Sequence, residues 1–138
     1  MRTKEMEVAT RWFKEVWNER KASTIMELMH PTASGRTHAG EIHGREDWKA
    51  RIWEPLVSAF SNIVVDVEDM IADGENVVIR WRAAMDHTGE GLLGAPPSGR
   101  SVEFTGMTWM VIQDGQIVRG WDSWDATGLL LRCGCTVA

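Results

Sequence analysis

Cysteine is nearly absent: the 138 residues include two, Cys133 and Cys135, close together near the C-terminus. Two thiols cannot complete a four-ligand zinc site. A strained redox pair is one reading of Cys-Gly-Cys; a mobile tail with two reduced thiols is the simpler one. An excess of basic residues is also lacking. The formal net charge is −5 and no long basic run occurs, so nucleic acid and anionic membranes are not expected partners. No apolar stretch approaches membrane-spanning length. The opening Met1-Arg2-Thr3-Lys4-Glu5 leads into an amphipathic segment with no signal-peptide apolar block, so the expected location is cytoplasmic.

Motifs for nucleotides and covalent catalysis are missing as well. No GxGxxG follows a strand, no GxxxxGK[ST] occurs, and neither Ser58 nor Ser61 sits in a nucleophile elbow. No cofactor is expected. The four histidines are His30, His38, His43 and His87. His38 and His43 share a glycine-rich loop rather than a helix face, and no metal site is expected there. His87 ends a strand before a Gly/Pro loop, where it would border the mouth of a cavity. Tyrosine is absent, while tryptophan and methionine number eight each. Such bulky, adaptable side chains suit a core that also lines a pocket.

The length fits one domain spanning residues 1–138, with enough apolar content to bury a core. Met6, Ala9, Phe13, Val16 and Trp17 make one stripe of a helix over residues 3–19, with Thr3 as N-cap. A short helix over 24–29 starts at a capping box of Thr24 and Glu27 and stops at His30-Pro31. A loose segment follows to Gly44. Trp48, Ile52, Leu56 and Phe60 then recur at helical spacing over 45–60, with Pro55 expected to kink or split the helix. After Asn62 the period becomes two. Ile63, Val65 and Val67 share a strand face, as do Val77, Ile79, Trp81, Ala83 and Met85, while Arg80 and Arg82 lie on a polar face. Strands over 101–112 and 117–124 flank the hairpin signal Asp114-Gly115, and a short helix closes the chain over 126–132. Helices followed by an antiparallel meander give an α+β class, a curved sheet wrapped on helices as a cone.

On the last strand Val118, Gly120, Asp122 and Trp124 share one side. The facing strand offers Val102, Phe104, Gly106, Thr108 and Met110. If these rows meet on the concave face, Asp122 is the lone carboxylate in an apolar setting, with Thr108 across the hairpin. Desolvation raises the pKa of a buried carboxyl, and a group poised nearer neutrality can take and return a proton. An acid on the outer face is the alternative reading. Asp125 is placed to cap the final helix, and Trp81 and Trp109 suit either core or pocket wall.

The segment GEGLLGAPPSGRSVEFT, from Gly89 to Thr105, resembles the Gly-x-Pro-Pro loop and strand of SnoaL-like polyketide cyclases. HAGEIHG from His38, Ile71-x-Asp-Gly, and the ending DGQIVRGWDSWDATGLLLRCG extend the similarity over residues 4–134. The resemblance implies a cofactor-free, cone-shaped enzyme of the nuclear-transport-factor-2-like superfamily, usually a homodimer paired through its outer sheet face. It implies intramolecular aldol condensation of an apolar polycyclic carbonyl compound, with a catalytic aspartate seven residues after the hairpin glycine, which is Asp122. Thr108, Trp81, Phe104, Met110, Trp124, His38 and His87 are the expected pocket residues. Thr108 stands where such cyclases carry histidine, and Gly35 where they carry a second polar pocket residue. The superfamily also contains isomerases, hydrolases and non-catalytic binders, so those alternatives remain.

Overall fold

The computed structural model describes residues 2–90, 92 and 95–134. Helix α1 is α-helical over Lys4–Arg11 and continues with π-type bonding over Trp12–Asn18. Thr3 caps it, its hydroxyl accepting from the Met6 amide. Helix α2 spans Ala22–Leu28. Thr24 is inside it rather than at its cap, because its buried hydroxyl is taken by Glu15 of α1. Helix α3 runs through Arg45–Trp48, a π-type stretch at Lys49–Trp53, and Glu54–Ala59. The wider stretch ends two residues before Pro55, whose missing N–H and ring disfavour ordinary helical bonding to the preceding turn. Helix α4 spans Ala126–Arg132, and Asp125 caps it by accepting from the Gly128 amide.

Six strands form one curved sheet: β1 Met29–Thr37, β2 Gly40–His43, β3 Phe60–Asp73, β4 Asn76–His87, β5 Ser101–Gln113 and β6 Gln116–Trp124. Their order is β2-β1-β6-β5-β4-β3, and the sheet does not close. β3 to β6 are the antiparallel meander that alternation and the Asp-Gly turns predict. The expected loose segment before Gly44 is instead β1 and β2. β1 lies parallel to β6, so the sheet is mixed rather than purely antiparallel. Its sequence, MHPTASGRT, has little strand signal of its own; the long-range partner supplies the order.

A close approach fixes that pairing. Gly35 sits opposite Gly120, and a Cβ on Gly35 would lie 1.8 Å from the Gly120 carbonyl oxygen. No side chain fits there, so this pairing requires glycine at position 35. α1 and α3 cover the concave face, where Ala9, Phe13, Val16, Ile52 and Trp53 share one buried core with inward residues of β3 to β6. The Trp53 indole N–H donates to the Val16 carbonyl at 2.9 Å and joins the two helices. Cys133 is buried at the end of α4 and so is not part of a loose tail; Cys135 lies outside the described residues. Among the described residues no helix is long and apolar enough to cross a membrane.

Candidate active site

Between the helices and the concave face lies a cavity of about 100 Å³. Its floor comes from alternate residues of β4 and β5: Trp81, Ala83 and Met85, then Phe104, Thr108 and Met110. β6 adds Gly120, Asp122 and Trp124. The expected concave row is therefore right for these positions. Ile117, expected outside, also lines the cavity. A bulge explains it: Val111 pairs with Arg119 but Ile112 with Ile117, so Val118 is skipped and the alternation inverts.

The helices contribute more of the wall than their apolar stripe suggests. Trp12, Phe13 and Trp17 of α1 and Trp48 and Ile52 of α3 all face the cavity. π-type bonding connects residues five apart, which brings Trp12 and Trp17 to the same side. Both pack on Trp48, at ring separations of 5.0 and 5.9 Å. The π-type stretch, invisible to a 3.6-residue period, is why Trp12 escapes the sequence reading. Ile42 of β2 and Ser34, Gly35 and Thr37 of β1 also line the site and lie in the segment that sequence leaves without structure, while Met29, expected at the end of the short helix, instead begins β1 and lines the site too.

Thr108 and Asp122 are direct cross-strand partners. The Thr108 hydroxyl donates to Asp122 Oδ1 at 2.6 Å, and the Trp81 indole N–H donates to Thr108 Oγ1 at 2.9 Å. An indole N–H can only donate. It therefore occupies the threonine as an acceptor and turns the threonine's proton toward the carboxyl. Gly106 permits this arrangement. A Cβ there would meet the Trp81 ring at 2.4 Å and Trp124 Cβ at 2.9 Å, so only glycine lets the indole lie across the strand.

Asp122 is half-buried, and its carboxyl is enclosed by protein where the strand faces the cavity. Burial raises its pKa from the ordinary carboxylate value to about 6, against a smaller lowering by the Thr108 hydrogen bond. Among the described residues Asp122 Oδ2 receives no hydrogen bond and is left for a ligand. Asp122 is also the one ionisable side chain among the described cavity residues.

Five expected pocket residues, Thr108, Trp81, Phe104, Met110 and Trp124, line the cavity. His38 stands beside it: its ring meets the edge of Trp124 at 4.7 Å, and partial desolvation lowers its pKa. His87 does not border the mouth. It is fully buried, packs against Phe60, and holds the loop after β4 through Nδ1 to Ser98 Oγ at 2.8 Å. The inward row of residues 77 to 85 continues in step to His87, and that parity was the available signal. Arg80 and Arg82 project from the other face, paired with Glu68, Asp69 and Glu103. Among the described residues no cluster of three or more metal-ligating side chains occurs.

The model of a family described as SnoaL-like polyketide cyclase matches residues 7–132. A solved structure from Jannaschia, described as a SnoaL-like polyketide cyclase, is 26% identical with a TM-score of 0.86, covering 99% of this chain and 95% of the other. IdmH from Streptomyces antibioticus, described as a polyketide cyclase, is 27% identical with a TM-score of 0.80, covering 96% and 99%. A protein from Catenulispora acidiphila with a ketosteroid isomerase-like fold is 18% identical with a TM-score of 0.74, covering 94% of each chain, and shows a shared fold. Among curated proteins no sequence match was found.

Proposed function

The chain belongs to the SnoaL-like polyketide cyclase family, and from that premise we propose that it is a cofactor-free acid/base enzyme acting on an apolar carbonyl compound, with Asp122 as its proton carrier. The observation that carries this reading is one carboxyl group, displaced to about 6, set alone among aromatic walls. At pH 7 a group of that pKa is mostly ionised, yet far more basic than an ordinary aspartate. Its free Oδ2 would take a proton from a carbon flanked by carbonyl groups. That C–H bond breaks, an O–H bond forms on Oδ2, and the electron pair delocalises into the substrate as an enolate.

In an intramolecular aldol condensation the enolate carbon then bonds to a second carbonyl carbon of the same molecule. The resulting alkoxide recovers the proton from Oδ2, and Asp122 returns to its starting state. Thr108 holds Oδ1 throughout and so aims Oδ2. Its hydroxyl does not titrate near neutrality, so this scheme gives one carboxyl both proton transfers. Aromatic walls would hold the flexible substrate in a reactive fold and exclude water.

The test is Asp122→Asn, assayed on carbonyl substrates that can form a ring by aldol closure. Turnover should fall by at least about a hundredfold while the variant remains folded by circular dichroism; turnover at the wild-type level would end the assignment. A second reading, a non-catalytic binding module, is supported by the single titratable group. It requires Asp122→Asn to bind ligand as wild type does and wild type to convert none.

The outer sheet face also supports a homodimer. Ile71, Met107, Trp109 and Trp121 are exposed there, with Trp109 and Trp121 in edge contact at 5.5 Å. A contiguous apolar patch of this kind gains stability when covered. Sedimentation should give twice the chain mass, and Trp109→Glu should reduce it to one.

A further inference from the structure

β2, β1 and β6 carry a groove of about 350 Å³ that the proposed reaction does not use. Strand register builds it. Ser34 of β1 pairs with His43 of β2 on one side and with Arg119 of β6 on the other. Two residues along β1, Arg36 lies between Glu41 and Trp121 in the same way. Directly paired residues of neighbouring strands point to the same side, and the strands lie about 4.8 Å apart. Arg119, Ser34 and His43 therefore form one row across three strands, and Trp121, Arg36 and Glu41 form the next; all six line the groove. Ser34 and the side-chain-free Gly35 give it a low floor between longer neighbours. Ser34, Gly35, Ile42 and Trp121 also line the cavity, so the two spaces share a wall. Parity turns Arg36 and Arg119 to the sheet face opposite Asp122.

The groove holds two guanidinium groups against one carboxylate, in a chain whose formal net charge is −5. That carboxylate is engaged: Arg36 donates to Glu41 Oε1 at 3.3 Å. Arg119 forms no ion pair among the described residues; its guanidinium lies over the Trp121 ring, 5.9 Å from the ring centre. The Ser34 hydroxyl has no hydrogen-bond partner among the described residues. His43 Nε2 stands 3.8 Å from Glu41 Oε2, beyond hydrogen-bond reach. Three donors of different kinds thus remain uncommitted side by side. A guanidinium fork matches the oxygens of carboxylates and phosphates. A carboxylate has two oxygens in one plane, which a single guanidinium satisfies. A phosphoryl group presents three terminal oxygens in three directions, one for each strand of the row.

We propose that this groove binds a small phosphomonoester, its phosphoryl oxygens accepting from Arg119, the Ser34 hydroxyl and the His43 ring, with Arg36 as the second cation and the organic part of the ester against Trp121. The site is separate from the Asp122 chamber and does not depend on the role given to that residue.

Titration of the full chain with phenyl phosphate at pH 7.5, followed by calorimetry and by amide ¹H–¹⁵N spectra, tests this. Saturable shifts should gather at Ser34, Arg36, Glu41, His43 and Arg119. Arg119→Gln should weaken binding by about tenfold or more, and Ser34→Ala by about threefold. Arg119→Lys, which keeps the charge and loses the fork, should fall between wild type and Arg119→Gln. Arg80→Gln removes a cation of the outer face that is paired with Glu68 and Asp69, and should bind within about twofold of wild type. Amide dispersion in the same spectra shows that each variant is folded. No saturable binding, shifts centred on the cavity strands instead, an equal loss in Arg80→Gln, or benzoate binding as tightly as phenyl phosphate overturns the proposal. The readout is binding at the groove, so it stands whatever Asp122→Asn does to turnover.

Discussion

Glu15 in α1 and Asp122 in β6 are two half-buried carboxyl groups, and each accepts a threonine hydroxyl. Thr24 donates to Glu15 at 2.8 Å and Thr108 to Asp122 at 2.6 Å. Their proton affinities nevertheless move in opposite directions. Glu15 falls to about 2, chiefly through hydrogen bonds from Arg11 and then Thr24, whereas Asp122 rises to about 6 through desolvation. The shared threonine cannot be the source of the difference. The guanidinium and the deeper desolvation of Asp122 are: Arg11 grips both Glu15 oxygens, at 2.6 and 3.1 Å, whereas among the described residues no lysine or arginine lines the cavity. One carboxylate is a fixed strut between helices, and the other is available to exchange its proton.

The largest effect separating them should be on turnover. Asp122→Asn should lower kcat by roughly 10²–10⁴-fold, the usual contribution of a general acid/base. Glu15→Gln should leave kcat within about twofold, measured in the same steady-state assay.

Stability should separate them with opposite signs. A raised folded-state pKa means that Asp122 binds its proton more tightly folded than unfolded. Stability is thus lost as pH climbs from the ordinary carboxylate value through about 6. Asp122→Asn should gain about 2 kcal/mol over wild type in urea unfolding at pH 8, and nothing at pH 4. Glu15 has a lowered pKa, so its contribution is present at neutral pH and is lost as pH falls toward about 2. Glu15→Gln should cost about 1 kcal/mol at pH 7.

The threonine's smaller share can be isolated. Thr108→Val removes the donor to Oδ1 and should raise the Asp122 pKa by about one unit, read by carboxyl ¹³C titration. Thr108→Ser should restore it. The smallest effect should come from Gly106→Ala, which touches neither hydrogen bond directly. By displacing the Trp81 ring it should move the same titration upward by a fraction of the Thr108→Val shift.

The meander was legible because the information is local. The Thr108–Asp122 pair was legible only as a near-neighbour across the hairpin: strict counting from the Gln113–Gln116 pair sets Thr108 against Trp121, and the bulge that skips Val118 shifts the register by one to bring Asp122 opposite it. β1 and β2 were not legible. Ser34, Gly35 and Arg36 form a strand because β6 lies beside them, more than eighty positions away in the chain. The cavity was half legible. Phe13 and Trp17 were placed on an inward stripe, but the same residue types serve a filled core or a lined void. Local periodicity does not contain the π-type spacing that turns Trp12 inward or the bulge that turns Ile117 inward.

The pairing of Gly35 with Gly120 bears on when the cavity comes into being. Closing a chain segment that long costs more entropy than closing the Asp-Gly hairpins, and non-local contacts slow folding. The meander can assemble from neighbours, but the wall made by β1 must wait for both ends of the chain to meet. Asp122 thus acquires its low-dielectric surroundings late in folding. Hydrogen exchange pulsed during refolding should protect the amides of β4 and β5 before those of β1. The proton carrier would begin as an ordinary aspartate on a forming sheet and be tuned only when the architecture is complete.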